Sequence, residues 1–154
     1  MGIIENSDLD SQVKQLKEKK NSIVFTNGCF DLLHKGHIDL LNKASTFGDI
    51  LIVGLNSDNS VKILKGKGRP IENEITRSKK LLEISNVDFV IIFNSETPKD
   101  LIIKIMPDVL VKGGDYKKND IVGSNEVISA GGKVKIVPLT EGYSTTSIIK
   151  SNKV

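Results

Sequence analysis

The chain has 154 residues, of which 38% are hydrophobic, and it carries a formal net charge of +3 at pH 7. This length and apolar content fit one domain with one core, and the longest apolar stretch, around residues 87–93, is far too short to cross a bilayer. Because the basic excess is small and only 5% of residues are aromatic, we expect neither a nucleic-acid partner nor a membrane partner.

The N-terminal segment predicts a helix and no export signal. Leu9, Val13 and Leu16 share one face of a helix within residues 1–21, which we expect to pack on a core domain spanning 22–154. Residues 1–10 lack a basic-then-apolar signal pattern. The single cysteine cannot form an internal disulfide, and both observations favour a cytoplasmic location.

The rest of the chain alternates apolar strand patterns with helical patterns. Strands are predicted at 23–26, 50–55, 88–93, 108–111 and 133–137, and helices at 37–46, 76–85, 98–105, 124–130 and from about 144. This alternation predicts an α/β fold, a single Rossmann-like domain whose parallel sheet of about five strands has helices on both faces. Ligands of such sheets bind beyond the carboxyl ends of the strands.

A strand-to-helix turn carries the only two histidines of the chain. The apolar run 22–26 ends at Asn27-Gly28, where the backbone turns easily, and a helix begins near Gly36. His34 and His37 flank the start of this helix, whose unpaired N–H groups and dipole favour an anion. Each imidazole can donate a hydrogen bond to a phosphoryl oxygen or gain positive charge. The segment therefore predicts a nucleotide-phosphate site.

Three other interpretations of this segment compete with a phosphate site. Cys29, His34 and His37 could ligate zinc, but no further Cys or His exists to close a structural site. The histidines could be purely structural, although that role does not require glycine at positions 28 and 36. Cys29 could be a nucleophile, but no third orienting group is evident, and a small packed residue is the simpler interpretation.

The segment 65–74 is the longest irregular stretch and predicts a mobile lid. It contains Arg69, one of only two arginines, and the other, Arg77, follows closely. Arginine clamps phosphates bidentately, and with Lys65 and Lys67 the loop suits a polyphosphate or a sugar phosphate. The alternative is a solvated basic loop, and exposure is an equally simple role for Arg77.

Two further loops offer phosphate or ribose contacts. The hydroxyls of residues 144–146 follow Gly142 and enter a helix, so they can surround phosphate oxygens, although ordinary N-capping needs only one of them. Gly113 and Gly114 can bring the backbone close to a ribose whose hydroxyls Asp115 accepts. The alternative is a glycine-rich turn stabilised by Asp115.

The chain resembles the HxGH cytidylyltransferase-like nucleotidyltransferases over roughly residues 22–150. Within this family it is most similar to the adenylyltransferases that act on D-glycero-β-D-manno-heptose 1-phosphate. A lone His-x-Gly-His indicates only the superfamily, and the ordered combination with the later blocks is more specific. The matching blocks are 25–37, Gly54–Asp58 with 64–66 and 69–70, Pro107–Tyr116, and Gly142–Thr146.

The resemblance implies the transfer of AMP from ATP to the heptose phosphate, giving ADP-heptose and pyrophosphate for lipopolysaccharide core or another surface glycan. It implies Mg²⁺ held by the triphosphate without protein ligands, and we expect a homodimer. The implied catalytic residues are His34, His37 and Lys65. The implied nucleotide-binding residues are Thr26, Asn27, Gly28, Phe30, Gly36, Lys112, Gly113, Gly114, Asp115, Gly142, Ser144, Thr145 and Thr146. The implied sugar-phosphate-binding residues are Asp31, Asn56, Asp58, Arg69 and Arg77.

Some assignments stay open at the level of sequence. Lys65 and Arg69 could hold either the leaving pyrophosphate or the incoming phosphate. Family members often carry an acidic residue two positions before the equivalent of Arg77, where this chain has Ile75. Two other functions compete with heptose adenylylation: a cytidylyltransferase for glycerol 3-phosphate or ethanolamine phosphate, and a non-catalytic nucleotide-binding module. The intact His34, His37, Lys65 and 144–146 argue against the second of these.

Overall fold

The computed structural model describes residues 2–114 and 116–138. In these two ranges six strands form one parallel sheet: β1 (Gly2–Ile3), β2 (Ile23–Gly28), β3 (Ile50–Asn56), β4 (Phe89–Phe93), β5 (Val109–Gly113) and β6 (Lys133–Val137). The five predicted strands are all present, and β1 is an additional edge strand that the sequence pattern missed. The predicted Rossmann-like α/β fold is confirmed.

The strand order β1-β4-β3-β2-β5-β6 places the reversal of the sheet between β2 and β5. From β2 the chain moves outward to β3 and β4 and then returns to the other side of β2, where Val24 pairs with Val109. This reversal leaves a crevice at the carboxyl ends of β2 and β5, because the adjoining connections run to opposite sides.

Among the residues that the structure describes, six α-helices cover the two faces of the sheet. They are α1 (Leu9–Glu18), α2 (Lys35–Ser45), α3 (Asp58–Lys65), α4 (Glu74–Leu82), α5 (Lys99–Ile105) and α6 (Ser124–Ser129), and short 3₁₀ turns occur at Asn6–Asp8 and Lys118–Asp120. Helix α3 was not predicted; it begins where the Ser57 hydroxyl accepts a hydrogen bond from Ser60 N at 3.1 Å. The predicted helix from about 144 lies outside the described residues.

Alternate side chains of the central strands enter two separate apolar layers. Phe25 and Ile52 point towards the layer that contains Leu9, Val13 and Leu16 of α1 together with residues of α5. Val24 and Val53 point to the opposite layer, against Leu41 of α2. Burial on both faces explains why these strands read as continuous apolar runs. Within the described residues, no helix has the length and apolarity that crossing a membrane requires.

Candidate active site

A cavity of about 550 Å³ opens at the carboxyl ends of β2, β3 and β5. It therefore lies at the predicted edge of the sheet, beside the crevice between β2 and β5. Three basic side chains, Lys65, Arg69 and Lys112, line it, and Glu96 is the only carboxylate among the described lining residues. The other lining residues are Asn27, Gly28, Cys29, Phe30, His37, Asn56, Leu64, Thr97, Pro98 and Val122. The balance of charge favours an anionic ligand.

The two histidines cap helix α2. His34 is the N-cap residue, and its Nδ1 accepts a hydrogen bond from Gly36 N at 3.1 Å. His37 completes a capping box, since its Nδ1 accepts from His34 N at 3.3 Å. A ring nitrogen that accepts from an N–H carries no proton, so in both neutral rings the proton resides on Nε2. The backbone thus selects the tautomer that presents an Nε2–H donor.

The surroundings keep both rings neutral. Burial lowers the pKa of His34. The pKa of His37 is lowered to about 4, chiefly by burial and then by His34, against an opposing effect of Asp31. The rings stack with centroids 3.7 Å apart, an arrangement that two cations would not favour. With this geometry and these lowered pKa values the rings are neutral and carry Nε2–H groups able to donate, rather than the cations that the sequence also allowed.

Only one of the two histidines borders the cavity. His37 lines it, and the Phe30 ring packs edge-on against the His37 ring, with 5.4 Å between the two ring centroids. His34 is absent from the described lining and contacts His37 by stacking. Gly28 permits this packing, because a Cβ at that position would come within 3.0 Å of the Phe30 ring. Thr26 is buried in β2, and its hydroxyl has no hydrogen-bond partner in the part of the chain that the structure describes.

Asp31 holds the basic loop against the cavity. Its buried carboxylate accepts hydrogen bonds from Arg69 Nε at 3.1 Å, from Ile71 N at 2.8 Å and from Glu72 N at 3.0 Å. These oxygens thus bind the protein's own loop, and the contact of Asp31 with the sugar phosphate stays a prediction. Arg69 both anchors the loop, by donating from Nε to Asp31, and lines the cavity. Within the predicted lid, Asp31 anchors residues 69–72, and Gly66 N donates to the Lys62 carbonyl at 2.9 Å, so residues 67–68 form the tip between these two attachments.

Arg77 is fully buried, and its guanidinium donates hydrogen bonds to groups within the protein. Its guanidinium donates to the carbonyls of Cys29 at 2.8 Å, Asn56 at 2.7 Å and Glu72 at 2.9 Å. It also pairs with Asp58 Oδ1 at 2.7 Å. Together these bonds join the ends of β2 and β3 to the loop before α4, while the Asp58 side chain stays 35% exposed. The contact of Arg77 and Asp58 with the sugar phosphate stays a prediction.

The other predicted nucleotide contacts are partly assembled. Lys112 lines the cavity, and burial lowers its pKa. Its Nζ lies 5.5 Å from the centre of the Tyr116 ring, beside a cavity of about 210 Å³. That cavity shares four lining residues with the first one: Asn27, Pro98, Lys112 and Val122. Gly36 is buried at the start of α2, whereas Gly113 and Gly114 are not among the described residues that line either cavity. The predicted contacts of Asp115, Gly142, Ser144, Thr145 and Thr146 lie outside the described residues.

The cavity does not offer a metal-ligand cluster. Across residues 2–114 and 116–138, no group of three or more His, Cys, Asp or Glu side chains converges to hold an ion, and Cys29, His34 and His37 form no such group. Glu96 is the one carboxylate among the described lining residues, and Mg²⁺ is usually bound through one or two carboxylates together with substrate phosphates. Burial raises the pKa of the Cys29 thiol, which argues against the nucleophile interpretation.

The structure adds residues that the sequence did not single out. Glu72 accepts from Leu32 N at 3.3 Å and pairs with Lys80, which fixes the far end of the basic loop. Ser60 contacts Asn56 at the end of β3. Glu72 lies in the segment 65–74 and Ser60 lies just after the block Gly54–Asp58, but the sequence does not show which groups these two side chains contact.

Comparison with known proteins identifies the family. The cytidylyltransferase-like family matches residues 25–151. The chain belongs to the cytidylyltransferase-like family. This match confirms the resemblance recognised in the sequence and the expected class of enzyme, a nucleotidyltransferase.

Two curated proteins are similar to this chain over nearly its whole length. The bifunctional protein HldE of Histophilus somni (strain 129Pt) is 51% identical over 97% of this chain, and that of Koribacter versatilis (strain Ellin345) is 52% identical over 96%. The chain spans 31% and 30% of the lengths of these two curated relatives.

Solved structures show the same fold. The lipopolysaccharide core biosynthesis protein from Thermoplasma volcanium GSS1 is 26% identical with a TM-score of 0.64, and the match covers 80% of this chain and 99% of that one. A pantoate-beta-alanine ligase from Francisella tularensis has a TM-score of 0.62 at 17% identity, over 99% of this chain and 77% of that one. The second likeness concerns the fold alone.

Proposed function

We propose that the protein transfers AMP from ATP to D-glycero-β-D-manno-heptose 1-phosphate, giving ADP-heptose and pyrophosphate for lipopolysaccharide core or another surface glycan. One observation carries the reaction type: a neutral His37, with its tautomer selected by the start of α2, borders a cavity lined by Lys65, Arg69 and Lys112. The heptose acceptor is supported by the sequence blocks that resemble heptose adenylyltransferases. The lipopolysaccharide context is supported by the likeness to the 26% identical lipopolysaccharide core biosynthesis protein from Thermoplasma volcanium GSS1.

The proposed chemistry needs alignment and charge stabilisation rather than a covalent intermediate. An oxygen of the acceptor phosphate bonds to the α-phosphorus of ATP, the bond from that phosphorus to the bridging oxygen breaks, and pyrophosphate leaves. The Nε2–H of His37 donates to an α-phosphate oxygen as its charge grows, and a donor that is already oriented costs no reorganisation. His34 caps α2 and stacks on His37, so it holds that ring in place.

The basic groups have separate proposed tasks. Lys65 and Arg69 approach the cavity from α3 and the loop after it, whereas Lys112 approaches from β5 on the other side of β2. We assign to these three cations the binding of the leaving pyrophosphate and of the acceptor phosphate, which lie on either side of the reacting phosphorus. Mg²⁺ enters with the triphosphate as part of the substrate. Asp115, Gly142 and residues 144–146 remain proposed nucleotide contacts on the strength of the resemblance.

The proposal extends to context. We place the reaction in the cytoplasm, where ATP is available, and we propose a homodimer, which sedimentation of the purified protein will test.

The direct test is a substrate panel. Pyrophosphate release is measured with ATP or CTP against heptose 1-phosphate, glycerol 3-phosphate and ethanolamine phosphate, and the sugar nucleotide is identified by mass. We expect turnover only with ATP and heptose 1-phosphate. Turnover only with CTP and a polyol or amino-alcohol phosphate would establish the cytidylyltransferase alternative, and binding of nucleotide without any turnover would establish the non-catalytic one.

A further inference from the structure

A short chain of hydrogen bonds joins the ends of β3 and β4 beside the cavity. Asn56 Nδ2 donates to Ser60 Oγ at 2.9 Å, and Ser60 Oγ donates to the backbone carbonyl of Ser95 at 3.0 Å. Asn56 and Ser60 are buried, with exposed fractions of 4% and 0%. Asn56 nonetheless lines the cavity.

The direction of this chain follows from its last member. A carbonyl oxygen only accepts, so the single hydroxyl proton of Ser60 is used on Ser95. Ser60 Oγ can then only accept from Asn56, and the amide atom that faces Ser60 must be the nitrogen. The orientation of the Asn56 amide is therefore set by the hydrogen-bond network, although side-chain nitrogen and oxygen are easily interchanged elsewhere.

This orientation turns the amide oxygen of Asn56 away from Ser60. Within the described residues, no donor reaches Asn56 Oδ1. The backbone is held as well, because the Asn56 carbonyl accepts from the buried Arg77 at 2.7 Å. The side chain thus presents one fixed acceptor at a cavity otherwise supplied with the cations Lys65 and Arg69.

A fixed acceptor selects a donor. Phosphate oxygens are acceptors and gain nothing from Asn56 Oδ1, whereas a sugar hydroxyl can donate to it. We infer that Asn56 Oδ1 accepts a hydrogen bond from one hydroxyl of the acceptor sugar. Ser60 is then the positioning residue that holds the Asn56 amide in the orientation this hydrogen bond requires. The inference rests on the proposed function, and it separates hydroxyl recognition by Asn56 from phosphate recognition by the cations.

The test compares Ser60→Ala and Ser60→Cys with the wild type. Cysteine nearly preserves the side-chain volume but is only a weak donor and acceptor, so it serves if the alanine variant folds poorly. We expect the KM for heptose 1-phosphate to rise about tenfold in both, while kcat and the KM for ATP stay within about twofold. Ser78→Ala is the matched control: Ser78 is also a fully buried helical serine, but it bonds only to the carbonyl of Ile75 in its own helix.

A second measurement separates positioning from a general structural defect. With single-deoxy analogues of heptose 1-phosphate, the wild type should lose about tenfold in kcat/KM for one analogue, and this penalty should shrink to about twofold in Ser60→Cys and in Asn56→Ala. The inference would be overturned if both variants kept the full loss of kcat/KM for the deoxy analogue, or if their KM for the sugar phosphate did not change. Either result, with normal wild-type turnover, would leave the proposed function intact. No wild-type turnover of heptose 1-phosphate would overturn both.

Discussion

Replacing His37 by two different amides separates its structural and chemical tasks. Asparagine places an oxygen near the position of Nδ1 and can still accept from His34 N, but it has no group at Nε2. Glutamine places an amide nitrogen near Nε2 and gives up the Nδ1 position. The hydrogen bond from His34 N is long, at 3.3 Å, so loss of this cap should cost no more than about 1 kcal/mol.

The two variants should therefore diverge in turnover. Removing one oriented donor to a developing oxyanion costs about 10²–10³ in kcat, or about 2.7–4 kcal/mol, and we expect this loss for His37→Asn with ATP affinity nearly unchanged. We expect His37→Gln to lose only about tenfold, because it retains a donor in poorer geometry.

Initial rates of pyrophosphate release at saturating substrates measure kcat, and urea unfolding measures stability. Equal turnover of His37→Asn and wild type would refute the reasoning. So would a loss of stability in His37→Asn large enough to explain its loss of rate.

Four further outcomes are expected. Because His37 has a pKa of about 4 when folded and about 6.5 when unfolded, the unfolded chain takes up the extra proton; the free energy of unfolding should fall as pH drops from about 6.5 to 4, and His37→Asn should flatten this slope in urea titrations at several pH values. Arg69→Lys cannot both bond Asp31 and reach the cavity, so kcat/KM should fall about tenfold. Amide exchange should slow at 67–68 when both substrates are added, whereas the Gly66, Ile71 and Glu72 amides should already be protected in the free protein. Full activity with unchanged exchange would contradict a binding loop. Arg77→Met leaves buried acceptors unpaired and should cost about 3–5 kcal/mol by denaturant unfolding; retention of wild-type stability would show that these bonds matter little. Turnover should require added Mg²⁺, and elemental analysis should find no zinc; one equivalent of tightly bound zinc would revive the Cys29–His34–His37 site.

Local features of the fold were readable from the sequence. The buried parallel strands consist of runs such as Ile50–Leu55 that are apolar on both faces, and such runs are visible without knowledge of their neighbours. The phosphate-site prediction at His34 and His37 rests on residues that are close in sequence, a strand end followed by a helix start. The contact between the two histidines could be foreseen because they lie three positions apart at the start of one helix.

Elements with weak local signals were missed. Strand β1 has only two residues and owes its existence to pairing with β4, where Gly2 N donates to the Asp88 carbonyl at 3.1 Å. Helix α3 lacks a strong propensity signal and begins at a serine cap inside a segment that was interpreted as a binding loop.

The roles of the polar residues depended on tertiary structure. Sequence chemistry singled out Asp31, Arg69 and Arg77 as groups able to bind a phosphorylated sugar, but it could not show what they contact. Asp31 meets Arg69 across 38 positions, and Arg77 meets Cys29 across 48. Once folding brings such groups together, a buried carboxylate or guanidinium takes the nearest internal partners, because leaving it unpaired costs several kcal/mol. The sequence by itself thus determined the fold class and the His34–His37 segment, and only the tertiary structure decided which polar groups face the cavity and which hold it together.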